Sequence, residues 1–116
     1  MKYDLNEITT NFSKQIINFL KKIKSDNLSA IIISQLFRSA TSIGANYREA
    51  NNASSKKDFA NKCFICKKEA QETKYWIELL AEIKLNNIEE LRILWQEAHE
   101  LTLIFNKICN SARNKN

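Results

Sequence analysis

The sequence contains no proline, and Gly44 is the single glycine among its 116 residues. Because proline and glycine are the residues that most often interrupt helices and form tight turns between strands, their scarcity favours long helices. We therefore expect an all-α fold. A chain of this length can bury one hydrophobic core, so we assign residues 1–116 to a single domain.

Long apolar runs are also missing. The amino terminus, residues 1–12, mixes charged side chains with isolated apolar ones, so we expect neither a signal peptide nor a membrane span. The three cysteines, Cys63, Cys66 and Cys109, are an odd number in a chain that needs no disulfide, which favours reduced thiols. We therefore expect a cytoplasmic protein that has no membrane contact.

Acidic side chains are too few to balance the basic ones. The formal net charge is +5 and the calculated pI is about 9.2, a balance that favours polyanionic partners such as RNA or DNA. Lysine, asparagine and isoleucine are all abundant, as an AT-rich coding sequence would produce. Base composition alone could therefore explain the lysines, and both explanations stay open.

Apolar residues recur with the helical period in four segments, 5–23, 27–51, 55–85 and 88–112. The first and fourth segments have one narrow apolar stripe, which is typical of a helix that packs on one side. Because short connections join the segments, we predict an antiparallel, up-down-up-down four-helix bundle. Residues 110–116 form a polar tail that we expect to fray.

Each polar break between these segments contains a residue suited to cap a helix. Ser25 or Asp26 precedes the second helix. Ser55 starts a capping-box pattern in which Asp58 stands where glutamate is usual, and Asn87 precedes the fourth helix. The helix starts are therefore predicted by local chemistry as well as by periodicity.

The second and third helices carry more apolar surface than one bundle needs. Apolar side chains of the second helix, beginning with Leu28, cover about half of its circumference, and the third helix has a second apolar stripe on another face. Gly44 costs roughly 1 kcal/mol relative to alanine, which predicts close approach by another helix. We therefore predict self-association, with these interface residues: Phe37, Gly44, Ile65, Trp76, Leu79 and Ile83.

Residues that could carry chemistry lack the partners that chemistry requires. Cys63 and Cys66 form a C-x-x-C pair, but they lie inside a helix on its apolar face and have no second pair. His99 is the only histidine, and no serine nucleophile motif or glycine-rich phosphate loop accompanies it. We expect the cysteines to pack in the core, and His99 to lie in solvent or at an interface.

Glutamates on the third helix invite comparison with di-metal bundles, but the Glu-x-x-His pairs of those proteins do not occur here. We expect Glu69 and Glu72 to pair instead with Lys68, Arg38 or Arg48. The sequence therefore predicts no catalytic residue, metal, cofactor or small-molecule substrate.

Two long ordered runs carry a family resemblance. Residues 34–50 read SQLFRSATSIGANYREA, and residues 68–80 read KEAQETKYWIELL. These runs resemble the bacterial four-helix-bundle family named for proteins encoded in intervening sequences of large-subunit ribosomal RNA genes. The sequence differs from that pattern at Phe37, where a basic residue is common, and at Tyr47, where a smaller aliphatic residue is common.

The resemblance implies a ring-shaped homopentamer without agreed catalytic residues. A related branch, the accessory proteins of diversity-generating retroelements, consists of basic pentamers that bind nucleic acid. We therefore expect a non-enzymatic homo-oligomeric scaffold that binds RNA or DNA without reading base sequence. The alternative is a structural or protein-interaction oligomer that has no affinity for nucleic acid. The candidate nucleic-acid-binding residues are Arg38, Arg48, Lys56, Lys57, Lys62, Lys67 and Lys68.

Overall fold

The computed structural model describes residues 4–114. Four long helices follow one another: α1 (Leu5–Lys22), α2 (Asn27–Asn51), α3 (Lys56–Ile83) and α4 (Ile88–Asn114), with a short 3-10 turn, Leu85–Asn87, between α3 and α4. Every boundary lies within two residues of its predicted position. None of the helices in the described range is long and apolar enough to cross a membrane.

The carboxyl-terminal end of α4 differs from the prediction. Residues 110–116 were expected to fray, but α4 stays helical through Asn114, whereas residues 115 and 116 lie outside the described range. The fourth helix was predicted to end near residue 112, so it is two residues longer than expected. Helical hydrogen bonds can continue through a polar segment that follows a well-packed one, and fraying of the tail stays a prediction.

Side-chain caps fix the starts of α2 and α3. The Asp26 carboxylate accepts a hydrogen bond from the Ser29 amide at 2.8 Å, and the Ser29 hydroxyl accepts one from the Asp26 amide at 3.0 Å. This reciprocal pair is a capping box, and its hydrogen bonds lower the pKa of Asp26. The Ser55 hydroxyl similarly accepts from the Asp58 amide at 3.0 Å, so the predicted caps of α2 and α3 are confirmed. The capping box predicted at Ser55 is incomplete, because the Asp58 carboxylate accepts from the Ser54 amide at 3.3 Å rather than from the Ser55 amide.

The helices form an antiparallel bundle in which α1 and α3 each pack against both α2 and α4. The Asn51 side chain at the end of α2 donates a hydrogen bond to Asn6 at the start of α1, at 2.9 Å. At the opposite end of the bundle, Lys22 of α1 forms an ion pair with Glu90 of α4. These contacts confirm the predicted up-down-up-down arrangement.

Buried apolar side chains from all four helices form one cluster along the bundle axis. The cluster contains the main stripe of each helix, as predicted from periodicity. One predicted member, Leu28, is 67% exposed, because it lies in the first turn of α2, where the neighbouring helices end. The buried leucine, isoleucine and phenylalanine members of the cluster are Leu5, Phe12, Ile16, Phe19, Leu36, Ile43, Ile77, Leu80, Leu91, Leu94, Leu101 and Phe105.

Gly44 permits close packing between α2 and α1. A Cβ atom at this position would lie 3.3 Å from the Thr9 hydroxyl oxygen and 3.6 Å from the Thr9 carbonyl oxygen. Thr9 is itself buried, and its hydroxyl donates to the Leu5 carbonyl at 2.6 Å. The close approach predicted at Gly44 therefore exists, and it is made by a helix of the same chain.

Candidate functional site

The seven predicted nucleic-acid-binding residues lie on three different flanks of the bundle. Arg48 faces α1, where its guanidinium donates to the Thr10 hydroxyl at 3.2 Å. Arg38 lies between α2 and α3, and Lys67 lies between α3 and α4, where it donates to Asn106 at 3.1 Å. The structure therefore does not bring all seven residues into one patch.

Arg38 is the centre of a polar network between α2 and α3. Its guanidinium lies 3.3 Å from a Glu69 carboxylate oxygen and also forms an ion pair with Glu72. Gln35 accepts a hydrogen bond from Arg38 at 3.0 Å, and the Trp76 indole donates to Glu72 at 2.9 Å. The predicted pairing of Glu69 and Glu72 with a basic side chain is confirmed, and the charge of Arg38 is largely compensated.

Lys62 is compensated in the same way. Its amino group lies 2.8 Å from a Glu49 carboxylate oxygen, and this hydrogen-bonded contact raises the pKa of Lys62. Arg38 of α2 and Lys62 of α3 are therefore both paired with glutamates across the α2–α3 flank. Neither residue offers an uncompensated charge to a phosphate group.

Four other predicted lysines lie in the first half of α3, and we call them the α3 lysine segment: Lys56, Lys57, Lys67 and Lys68. Within residues 4–114, none of their amino groups forms an ion pair with a carboxylate. Phe64 lies between them and is 45% exposed. The Lys67 and Lys68 amino groups lie 5.4 Å and 6.0 Å from the centre of its ring. This segment therefore combines available positive charge with an exposed aromatic ring.

The α2–α3 register follows from two buried contacts. The Cys66 thiol donates to the Ile43 carbonyl at 3.5 Å, and the Thr73 hydroxyl donates to the Ser39 hydroxyl at 2.9 Å. For antiparallel helices, each step back along α2 corresponds to one step forward along α3. The later turns of α3 therefore lie level with the first turns of α2.

An exposed apolar region lies at that end of the α2–α3 flank. The register places Ile31 level with Leu79, and Leu28 level with Ile83. Leu28 and Ile31 are 67% and 69% exposed, while Leu79, Ile83 and the neighbouring Trp76 are half-buried. We call these five residues the α2–α3 apolar surface. It includes three of the predicted interface residues, and two that the sequence analysis did not assign to the interface.

The other predicted interface residues lie elsewhere. Phe37 is 47% exposed, but helix geometry turns it about 120° around α2 from Ile31. Gly44 is covered by α1. Ile65 is half-buried on the same flank of α3 as Trp76, but the Arg38 network lies between them. The six residues therefore do not form one continuous surface.

His99 belongs to a cluster of rings and charges on the α3–α4 flank. Its Nδ1 atom lies 3.1 Å from the Lys74 amino group, and its ring stacks on Trp95 with the ring centres 5.1 Å apart. Lys74 also lies 5.1 Å from the centre of the Trp95 ring, and the Trp95 indole donates to Glu78 at 3.0 Å. This cluster could not be predicted from the sequence, because only the α3–α4 register brings Lys74 to His99.

The thiols of Cys63 and Cys66 are packed in the core, as predicted. Burial raises the pKa of both thiols to about 12, and the neighbouring Cys109 adds to the effect. Both thiols therefore stay protonated at neutral pH, in the unreactive form. Among residues 4–114, no group of three His, Cys, Asp or Glu side chains could hold a metal ion.

The fold and these surfaces place the chain among small antiparallel four-helix bundles. Residues 2–107 match the family of 23S rRNA-intervening sequence proteins, and the chain belongs to this family. The resemblance carried by residues 34–50 and 68–80 is thereby confirmed.

A similar crystal structure, solved at 1.70 Å, is that of a protein of unknown function from the S23 ribosomal protein family of Bacteroides thetaiotaomicron. Its sequence is 35% identical, and the match covers 90% of this chain and 96% of that one, with a TM-score of 0.81. No curated protein matches the chain. The comparisons therefore support the family and the fold, and they attach no activity to either.

Proposed function

We propose that this chain is a non-enzymatic homo-oligomeric scaffold that binds RNA or DNA through the α3 lysine segment, without reading base sequence. The observation that carries the proposal is a set of four lysines on one half of one helix, none of which forms an ion pair with a carboxylate of the described residues. Lysine contacts with phosphates release counterions, and such contacts add when several lie together. An oligomer would repeat the segment once in every subunit.

The α2–α3 apolar surface supports the oligomeric part of the proposal. Leu28 and Ile31 are mostly exposed, and the α2–α3 register places them level with half-buried apolar side chains of α3. Contiguous apolar surface of this kind commonly marks an interaction site. The family resemblance implies a ring of five copies, and sedimentation would give the number of subunits.

The surroundings of the reactive side chains support a non-enzymatic role. The raised pKa of Cys63 and Cys66 keeps both thiols protonated, so neither supplies a thiolate nucleophile at neutral pH. His99 is engaged by Lys74 and Trp95 rather than by a hydroxyl or thiol that it could activate. These side chains are better suited to packing than to proton transfer or covalent catalysis. A cytoplasmic location stays a prediction.

The alternative is an oligomer that binds other proteins and has no affinity for nucleic acid. The α2–α3 apolar surface would serve that role equally well. Compensation of Arg38 and Lys62 by glutamates also reduces the basic surface to fewer residues than predicted. Nucleic-acid affinity therefore distinguishes the two functions.

The test is fluorescence anisotropy of labelled RNA and DNA, single-stranded and duplex, over a series of salt concentrations. We expect affinity to fall steeply with salt. Replacing the four lysines of the α3 lysine segment with glutamine should reduce the slope of log affinity against log salt by about 3 if all four contact phosphates. If no binding is detected even at low salt, the nucleic-acid function is refuted and the alternative, an oligomer that binds other proteins, is favoured.

A matched control separates local from general charge effects. Four exposed lysines outside the segment can be replaced with glutamine for the same loss of net charge: Lys14, Lys21, Lys24 and Lys107. The control variant should keep most of the affinity. Equal loss in both variants would mean that net charge, rather than the α3 lysine segment, attracts the nucleic acid.

A further inference from the structure

Two exposed aromatic side chains lie in line along the outer face of α3. Phe64 is 45% exposed and Tyr75 is 53% exposed. They are eleven residues apart, which is close to three helical turns, so they point in nearly the same direction at a separation of about 16 Å. Exposing two large rings on one line has no benefit for the core of the bundle.

Two lysines lie beside the Phe64 ring. The Lys67 and Lys68 amino groups lie 5.4 Å and 6.0 Å from the centre of the Phe64 ring. Lys74 directly precedes Tyr75 and faces the α3–α4 flank, where it contacts His99. The positive charge in contact with the line of rings therefore lies at its Phe64 end.

The carboxylates in the same stretch of α3 are directed elsewhere. Between Phe64 and Tyr75 the acidic residues are Glu69 and Glu72, and both pair with Arg38 on the α2–α3 flank. The outer face between the two rings therefore presents lysine and Gln71 without competing negative charge. On the face between Phe64 and Tyr75, phosphate groups of a nucleic acid would therefore not be repelled by carboxylates.

We propose that Phe64 and Tyr75 are stacking platforms for the bases of single-stranded nucleic acid, whose phosphates bind Lys67 and Lys68. The inference rests on the proposed function and adds the class of nucleic acid. Bases in a duplex are already stacked on one another, whereas bases in a single strand are free to stack on aromatic side chains. Stacking of this kind tolerates any base, because every base has an aromatic face.

The experiment compares the single-strand and duplex affinities of Phe64→Ala and Tyr75→Ala with those of the wild-type protein, using RNA and DNA oligonucleotides of equal length. We expect each substitution to weaken single-strand binding about 5- to 100-fold and to leave duplex binding nearly unchanged. The ring-retaining variants Phe64→Tyr and Tyr75→Phe should keep the affinity. Ile93→Ala, at a 59% exposed position on α4, should have no effect.

Tyr75 requires one further measurement, because its ring contacts Trp76 edge-on with the ring centres 5.2 Å apart. The oligomeric state of Tyr75→Ala should be measured by sedimentation, and we expect it to equal that of the wild type. Disassembly of this variant, with single-strand affinity lost in proportion, would overturn the role of Tyr75 in stacking.

The outcomes separate this inference from the proposed function. Alanine variants that lose single-strand and duplex affinity equally, or neither, would refute stacking while leaving nucleic-acid binding in place. A wild-type protein that binds no nucleic acid would refute both.

Discussion

Replacing Leu28 and Ile31 with alanine should weaken self-association without unfolding the bundle. In the single chain these side chains are 67% and 69% exposed. Burying a whole leucine or isoleucine contributes about 1.5–3 kcal/mol, so covering the exposed two-thirds contributes about 1–2 kcal/mol for each side chain. The double substitution should therefore cost about 2–4 kcal/mol for each subunit face that uses the surface, or roughly a 30- to 700-fold weaker association.

Sedimentation velocity over a range of protein concentrations would measure this effect. The wild type should sediment as an oligomer at concentrations where the double variant has dissociated. Because both side chains are mostly exposed in the single chain, the free energy of unfolding of a dissociated subunit should change by no more than about 0.5 kcal/mol per substitution. Circular dichroism would check that the helices remain intact.

The matched control is Ile93→Ala with Leu103→Ala on α4, at positions 59% and 55% exposed. These substitutions remove a similar amount of exposed apolar side chain from another flank, so association should be unchanged. The reasoning is refuted if the Leu28 and Ile31 variant associates like the wild type, or if the α4 control dissociates to the same extent.

Two further predictions concern the core. Thr73→Val should lower the free energy of unfolding by about 1–2 kcal/mol, since it removes the buried hydrogen bond to Ser39. In urea denaturation, Ser39→Ala should lower the free energy of unfolding less in the Thr73→Val background than in the wild type. Additive losses would contradict the coupling of the two residues. Because burial raises the pKa of Cys63 and Cys66 from 9.0 to about 12, the unfolded chain loses thiol protons first. The contribution of the two thiols to stability is complete below pH 9 and falls between pH 9 and 12. The wild type should therefore lose more stability at pH 10 than a double variant with Cys63→Ala and Cys66→Ala. Equal losses in the two proteins would disprove this.

Helix boundaries could be predicted because they depend on nearby residues. Asp26 and Ser55 cap their helices through hydrogen bonds to residues only three positions away, so the necessary information is contained in a short stretch of sequence. The main apolar stripes could be predicted equally well, because the helical period shows which side chains share a face.

Surface relationships could not be predicted with the same accuracy. Leu28 shares the apolar pattern of α2, but periodicity does not show where the covering helices end, so its exposure was missed. Gly44 correctly indicated close packing, but one sequence cannot show whether the approaching helix belongs to the same chain or to a second copy. Lys74 and His99 are 25 residues apart, and only the register of α3 against α4 brings them together.

The dimensions of the bundle have a consequence for any assembly built from it. The chain measures 47 × 23 × 20 Å, and the α2–α3 apolar surface lies toward one end while the α3 lysine segment begins at the other. Copies joined through the end that carries the α2–α3 apolar surface would hold their α3 lysine segments at the periphery of the assembly. A nucleic acid would gain avidity only when it is long enough to reach the α3 lysine segments of two copies, so affinity should increase sharply at a threshold strand length.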